Sequence, residues 1–569
     1  MKKEVQTGYP SIDKPWLKYY SKEAIKAVFP QMSAYDYLVQ NNCTHLADTA
    51  LIYFDKELSY GQLFKEINRA ANAFQTIGVD KGEIVTICAT TVPETIISIY
   101  ALNKIGAIVD MYDPRKGIVA DTGSKVLIVL DILSEMAEKY LLDDTSFEHV
   151  IILSMKDSMT ASAKMVYNFK MRGKSRQTIN SGIRWKEFLD RAQKCEIDDE
   201  KSAERGDGAA AIVHTGGTTG TPKCVLLSNN NFNALAHQYR YLGLDYNRKQ
   251  KFLDIMPIFI AYGLLWGIHM PLSLGITIIL IPIFTLNELD SLIIKYHPEH
   301  FAGVPMHYIQ LLNSVRLKKY DLSFIKNPAV GGDNLNKNDE SRINSFLESN
   351  GCKKTIAKGY GLTEASSAIS ACCENCNSLG SVGIPLIGNV ISIFKPNTDI
   401  ELTYYEEGEV CVIGPTNMIE YFKNPEETQE IFKRHKDGKK WLHTGDLGYM
   451  TEDGQLYIID RIKRMYIRAE GYKIFAKKIE MIIEKCDAVG RCVIVGIPDP
   501  NHTQGQVPKA CIILDEKYCG DKKTAVAEIT KFCQDNLVER DFPEEIVLYS
   551  DFPLTAIGKV DYRALEKEL

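Results

Sequence analysis

Between His214 and Lys223 the chain reads His-Thr-Gly-Gly-Thr-Thr-Gly-Thr-Pro-Lys, and every residue after His214 is threonine, glycine, proline or lysine. That composition suits anion binding. Glycine lets backbone N–H groups converge in a tight turn, threonine hydroxyls add donors, and lysine adds a point charge. A Walker loop would need Gly-x-x-x-x-Gly-Lys-Ser/Thr followed by a helix. Here Gly217 and Gly220 are three apart, Pro222 precedes Lys223, and the strand-like Val225-Leu-Leu-Ser228 follows. A Walker nucleotidase is disfavoured, and the segment is predicted to join two strands, the first containing Ala211–Val213. A bare hairpin turn uses only about two to five residues, so this segment is longer than a turn requires.

Four further segments place chemistry-bearing side chains at defined spacing: Lys358-Gly-Tyr-Gly-Leu-Thr-Glu364, Trp441-Leu-His-Thr-Gly-Asp446, Asp460-Arg-Ile-Lys463 and Pro553-Leu-Thr-Ala-Ile-Gly-Lys559. Two lesser ones are Gly331-Gly-Asp333 and Gly380-Ser-Val-Gly-Ile-Pro385. Taken with the loop and in this order, they resemble the motifs of the adenylate-forming superfamily. That superfamily includes acyl-CoA synthetases, nonribosomal adenylation domains and beetle luciferases. The resemblance spans roughly residues 45–565.

The resemblance implies a reaction in two halves. A carboxylate attacks the α-phosphorus of ATP, giving an acyl-adenylate and pyrophosphate; a thiol then displaces AMP. The first half brings two anions together, so positive charge and positioning should carry most of the catalysis. Thr215, Gly216, Gly217, Thr218, Thr219, Gly220 and Lys223 form the implied phosphate loop. Thr363 is expected to hydrogen-bond the α-phosphate, and Tyr360 to face adenine. Gly332, Asp333 and Gly361 complete the implied nucleotide-binding set. Glu364 is the expected Mg²⁺ ligand, a hard carboxylate beside a polyphosphate. Asp446 should accept hydrogen bonds from both ribose hydroxyls, with Arg461 as a second ribose contact. Lys559 is expected to bridge the incoming carboxylate and the α-phosphate. With Thr363 and Glu364 it makes up the implied catalytic set. Lys463 matches the family's domain hinge, and Gly471 the tunnel for the pantetheine arm of coenzyme A.

The acid pocket is expected from Ile260, Ala261, Tyr262 and Gly263, with Gly303–Met306 and Val330, Gly331 and Gly332. These segments are apolar with small residues, which suits an alkyl or aryl carboxylate. No aspartate stands in Ile260–Gly263 to pair an α-ammonium, so amino acids are disfavoured. Coenzyme A is the expected acceptor, and a separate acyl carrier protein is the alternative. A catalytically silent nucleotide-binding protein is a third reading, against which intact Glu364, Asp446 and Lys559 stand. The chain also departs from the family pattern. Cys224 follows Lys223 where glycine is usual, and Ala476 stands where proline is frequent. Ile260 replaces a histidine that many acyl-CoA synthetases carry, and Arg461 to Gly471 is one residue longer than the common spacing.

Positioning these groups takes a large scaffold. The 569 residues are 45% hydrophobic and 25% charged, an ordinary globular balance. Residues 63, 64, 67, 70, 71, 74 and 77 are apolar at helical spacing within Gln62–Val79, with Gly78 as a stop. Glu83–Cys88, Val126–Leu130 and Val150–Leu153 read as strands, and Pro93–Ile105 as a helix. This alternation predicts an α/β fold, with sheets and helices in layers. After Arg461 the pattern is a compact α+β unit: helix Phe475–Cys486, strands Arg491–Val495 and Ala510–Leu514, helix Ala525–Leu537. The expected domains are residues 1–460, a large N-terminal AMP-binding domain, and 461–569, a small mobile C-terminal lid carrying Lys559. The polar Asp460–Lys463 is read as an exposed hinge.

Net charge is −6, so no basic footprint for nucleic acid exists. The run Lys164–Arg176 reads as a solvated loop. Ile255–Thr285 carries only His269 and Tyr262 as ionisable groups, but Pro257, Pro271 and Pro282 divide it. It reads as buried core, with peripheral bilayer contact as the alternative. Cys372, Cys373 and Cys376 lack a second ligand pair for a structural zinc site. No signal peptide is evident, and the fourteen scattered cysteines fit a reducing cytoplasm.

Overall fold

The computed structural model describes residues 6–115, 122–133, 147–170, 182–191, 206–215, 223–469, 473–500, 502, 505–554 and 560–567. They divide into two compact units. The larger comprises 15–390 and 412–433; the smaller comprises 1–14, 391–411 and 434–569. The expected 460/461 boundary falls inside the smaller unit.

In the larger unit, two sheets carry the segments singled out above. One has eight strands among the described residues, ordered Glu420–Tyr421, Cys224–Ser228, Ala209–His214, Ile108–Met111, Ile84–Cys88, Val126–Leu130, His149–Leu153 and Ile183–Arg184. It is parallel from Ala209–His214 outward to Ile183–Arg184, and antiparallel at the other edge. The second has nine strands among the described residues. Its parallel centre runs through Ala357–Tyr360, Asn327–Val330, His300–Gly303, Lys251–Asp254, Thr277–Leu280 and Thr49–Tyr53. The helices Pro305–Asn313 and Lys337–Ser349 cover it, packing Tyr308, Leu311, Ile343 and Leu347 against Leu253, Ile279, Phe301 and Val330. Each such side chain stabilises the fold by about 1.5–3 kcal/mol when fully buried.

The helix read in Gln62–Val79 spans Tyr60–Thr76. Ser59 and Gln62 form its capping box, and Gly78 at φ +83° ends it. Leu63, Phe64, Ile67, Ala70, Ala71 and Phe74 are all buried. The apolar stretch at 255–285 folds into a helix of π geometry, Tyr262–His269, the short helix Met270–Ser273 and the strand Thr277–Leu280, nearly all buried. No described helix is long and apolar enough to cross a membrane. One reading is corrected. The start of the Lys164–Arg176 run is helical rather than loop: it belongs to the helix Ala161–Lys170, in which Ala161, Ala163, Lys164, Met165 and Lys170 favour the helix. Residues 171–181 lie outside the described set.

The smaller unit holds residues 391–394, 408–411, 440–450 and 456–461 of one sheet. It also holds the three-stranded sheet Val489–Pro498, Gln506–Leu514 and Glu545–Leu548, flanked by helices Ala476–Ile483 and Lys522–Asn536. Ile479, Ile483, Ile494, Ile512, Ile529 and Cys533 form the core between them. The α+β texture read after Arg461 is therefore present. Asp460 corrects the expectation of an exposed polar hinge, because its side chain is buried. The N–H of Lys477 donates to it at 2.8 Å and Arg464 pairs with it at 3.4 Å, which offsets the loss of water.

Candidate active site

The glycine–threonine loop leaves one strand of an antiparallel pair and enters the next. His214 and Cys224 are register partners at its foot. Thr215 and Lys223 close it: Thr215 N–H donates to the Lys223 carbonyl at 3.0 Å, and Lys223 N–H to Thr215 Oγ1 at 3.2 Å. The connection runs from Thr215 to Lys223, longer than a hairpin turn, as read. Gly216, Gly217, Thr218, Thr219 and Gly220 lie outside the described residues.

Lys223 Nζ sits 2.8 Å from Glu427 Oε2 and 4.6 Å from the Tyr421 ring centroid. The Tyr421 hydroxyl donates to Glu364 Oε1 at 2.7 Å. Burial and the neighbouring Glu364 carboxylate push the Tyr421 phenol well above its ordinary range, so it remains a donor at any working pH. The segment that makes these contacts is fixed by backbone. Ile419 N–H donates to Leu226 O at 2.9 Å, Phe422 N–H to Cys224 O at 2.8 Å, and Met418 N–H to Glu364 O at 2.8 Å. One short strand thus ties the foot of the loop to Glu364. Sequence reasoning missed Tyr421 and Glu427. Their only signal is a strand pairing, Val225 with Tyr421, that no local spacing reveals.

Tyr360 ends the strand Ala357–Tyr360, Gly361 follows it, and Thr363 and Glu364 open the turn Thr363–Ala365, all half-buried. A Cβ on Gly361 would stand 1.8 Å from the Ser367 carbonyl oxygen, so only glycine fits there. Ser366 and Ser367 take left-handed φ values of 58° and 88°, a strained turn that Ser366 Oγ anchors by donating to Thr416 O at 2.6 Å. The strand itself is held by Lys358, which forms a buried ion pair with Glu340 and donates to Asn377 Oδ1 at 2.7 Å.

The expected acid-pocket segments meet. A Cβ built on Gly332 would lie 3.7 Å from Val304 Cγ1 and 3.8 Å from the Tyr262 ring; one on Gly331 would lie 3.6 Å from Tyr262 Oη. Gly331 N–H donates to Gly303 O at 3.1 Å, aligning the ends of two parallel strands. Ala261, Gly263, Gly303 and Val330 are buried, while Ile260, Tyr262, Gly331 and Asp333 are half-buried and Gly332 is exposed. Beneath the helix Tyr262–His269 lies Asp254, a carboxylate the sequence reading did not single out. Burial pushes it up to about 8.

In the smaller unit, Asp446 and Arg461 are register partners, with Arg461 Nε 3.1 Å from Asp446 Oδ1. Asp446 is buried and Arg461 exposed. Within the strand Lys440–Met450, the Thr444–Asp446 segment is pinned from behind: Thr444 Oγ1 donates to Val410 O at 2.7 Å, and Gly445 N–H to Glu409 Oε1 at 3.2 Å. Glu409 Oε2 in turn lies 2.9 Å from His443 Nδ1. Lys463 lies in the turn Ile462–Arg464. Gly471 and Lys559 lie outside the described residues.

The AMP-binding enzyme family matches residues 39–422, and the AMP-binding enzyme C-terminal domain matches residues 478–559. The chain belongs to the AMP-binding enzyme family. A long-chain-fatty-acid–CoA ligase of Bacillus subtilis is 30% identical over 568 residues, covering 98% of each chain. One from Salmonella typhimurium is 26% identical over 578 residues, again covering 98% of each. A benzoate CoA ligase structure from Burkholderia xenovorans superposes with a TM-score of 0.77 at 20% identity, over 94% of this chain and 100% of that one. The α/β architecture with a smaller C-terminal part is the fold of the AMP-binding enzymes.

Proposed function

We propose that this AMP-binding enzyme activates a long-chain fatty acid with ATP, releasing pyrophosphate, and then transfers the acyl group from AMP to coenzyme A. The observation that carries the reading is the Lys223–Tyr421–Glu364 arrangement: a cation at the foot of a glycine–threonine loop, and a carboxylate fixed beside it by a phenol donor. The full-length likeness to fatty-acid–CoA ligases supports the choice of acid and acceptor. So does the apolar set of Tyr262, Val304, Val330, Gly331 and Gly332.

Lys223 grips the β- and γ-phosphates, exchanging Glu427 for the more highly charged anion. Thr363 donates to the α-phosphate, and Tyr360 covers adenine. Glu364 fits Mg²⁺: a hard carboxylate, half-buried, with one oxygen already oriented by Tyr421. The ion bound there supplies charge neutralisation at the phosphates. Asp446 presents two oxygens to the ribose diol, and Arg461 holds the carboxylate in place. Lys559 offsets the repulsion between the acid and the α-phosphate. Residues 461–569 act as a lid that turns about Lys463 between the half-reactions, with Gly471 lining the thiol path. The proposed compartment is the cytoplasm.

Thioester formation from a series of saturated acids, with coenzyme A and separately with a holo-acyl carrier protein, tests the substrate assignment. Acyl-CoA should form with a preference for long chains. Transfer to the carrier protein alone would replace the acceptor, and no thioester with either would sink the proposal.

A further inference from the structure

Cys224 opens the strand that leaves the phosphate loop, and its thiol is half-buried. Its sulfur lies 3.6 Å from Nδ1 of His214, the residue directly across the hairpin. The other ring nitrogen, Nε2, lies 2.7 Å from Asp110 Oδ1. Asp110 sits in the neighbouring parallel strand and is fully buried; Thr122 Oγ1 donates to its second oxygen at 2.8 Å. The Tyr112 ring packs on the imidazole with 4.1 Å between centroids. The carboxylate and the ring contact therefore fix the imidazole plane and aim Nδ1 at the sulfur.

Burial opposes a charge on His214, but the Asp110 and Cys224 hydrogen bonds outweigh it and hold the imidazole at about 9. At neutral pH the ring is then an imidazolium, donating from Nε2 to Asp110 and from Nδ1 to Cys224 Sγ. A cationic N–H facing sulfur is the setting in which a cysteine attacks as thiolate. Adenylation and thioester formation use the substrate carboxylate and the coenzyme A thiol as nucleophiles, so neither half-reaction employs this cysteine.

We propose that Cys224, His214 and Asp110 form a thiol–imidazole–carboxylate relay that makes Cys224 a site of thiol–disulfide exchange with small disulfides at the foot of the phosphate loop. Cys224 Sγ attacks one sulfur of R–S–S–R. A Cys224–S–S–R bond forms, the original S–S bond breaks, and RS⁻ departs. The proton that Sγ passed to His214 Nδ1 goes to RS⁻, giving RSH. Cys224 is oxidised to a mixed disulfide as one sulfur of the reagent is reduced to thiol, so electrons balance. The added group stands one residue from Lys223, so exchange should suppress use of ATP until a thiol reverses it. That consequence rests on the proposed function; the exchange itself does not.

The full-length protein is incubated with hydroxyethyl disulfide, and each cysteine is followed by peptide mass spectrometry. Cys43 and Cys519, both exposed, are internal controls. Cys224 should react about tenfold faster than either near neutral pH. That gain comes from the geometry: Nδ1 of His214 stands 3.6 Å from Sγ, fixed there by Asp110, and returns a proton to the departing RS⁻. Asp110→Asn should slow Cys224 about tenfold and leave both controls unchanged. Reaction at Cys224 no faster than at the controls overturns the relay on the wild-type protein alone, whether or not the variant folds. An unchanged Cys224 rate in a folded Asp110→Asn protein overturns it equally. Rapid, Asp110-dependent modification with ATP use undiminished upholds the relay and counts instead against the loop's assigned role in binding ATP.

Discussion

Replacing Tyr421 with phenylalanine removes one oxygen and keeps the ring. The lost contact is the 2.7 Å donation to Glu364 Oε1. A hydrogen bond to a charged group contributes about 1.5–3 kcal/mol, and in this half-buried site water recovers part of it. The lower bound, about 1.5 kcal/mol, corresponds to roughly a tenfold change in rate or affinity. The retained ring still lies under the Lys223 ammonium, whose distance to its centroid is 4.6 Å, so the cation proposed to grip the phosphates should be little affected. The loss should therefore fall on Glu364. Fatty-acid-dependent exchange of labelled pyrophosphate into ATP should drop about tenfold at limiting Mg²⁺ and recover largely at high Mg²⁺. The unfolding temperature should barely move. A double-mutant cycle with Glu364→Gln should return most of the 1.5 kcal/mol as coupling, about the size expected of one charged hydrogen bond. Exchange equal to wild type across the Mg²⁺ titration, in a folded protein, would refute the claim that Tyr421 orients the metal carboxylate.

Three stability predictions follow from buried charges. Asp254 is held near 8 by burial, above an ordinary unfolded value of about 4, so the folded state binds the extra proton and stability should fall as pH rises between these values. Asp254→Asn should remove this contribution, seen as a melting temperature that declines less between pH 5 and 8 than in the wild type, the remaining decline including that of Glu94, which burial raises to about 7. Glu480 shows the opposite sign. Burial raises it, but Lys477 at 3.1 Å and Arg464 at 2.6 Å hold it at about 2. Its contribution is present above about pH 4.3 and lost as pH falls toward 2; Glu480→Gln should cost about 3–5 kcal/mol at pH 7 and little near pH 2 in chemical unfolding. Lys358→Met leaves Glu340 buried without its cation and should cost about 3–5 kcal/mol, measured the same way; a cost below about 1 kcal/mol would show that Glu340 finds another partner.

Local pattern made much of the fold legible. Tyr60–Thr76 announces itself by apolar spacing and a Ser59–Gln62 cap, and the loop after His214 by its glycines and threonines. Both signals lie within a few residues of the element they specify. Tyr421, Glu427 and Asp110 gave no such signal. Tyr421 and Asp110 reach the loop through strand pairings, Tyr421 with Val225 and Asp110 with Ile212, that join segments far apart in the chain, and Glu427 comes from the helix Pro425–Ile431 just after Tyr421. Asp460 was misread because a charged residue in Asp-Arg-Ile-Lys looks solvent-facing, and only tertiary structure brings the Lys477 N–H and Arg464 that allow its burial. Cys224 was visible as an unusual letter after Lys223. Its meaning depended on which side chain stood opposite, and the hairpin register supplied His214.

The central claim is that the chain forms an acyl-adenylate from a long-chain fatty acid. Palmitate-dependent exchange of labelled pyrophosphate into ATP measures that step without the acceptor. The account predicts exchange that requires palmitate and Mg²⁺ and is nearly abolished by Lys559→Ala in a folded protein. No exchange with palmitate or any other long-chain acid, or full exchange in Lys559→Ala, would contradict it.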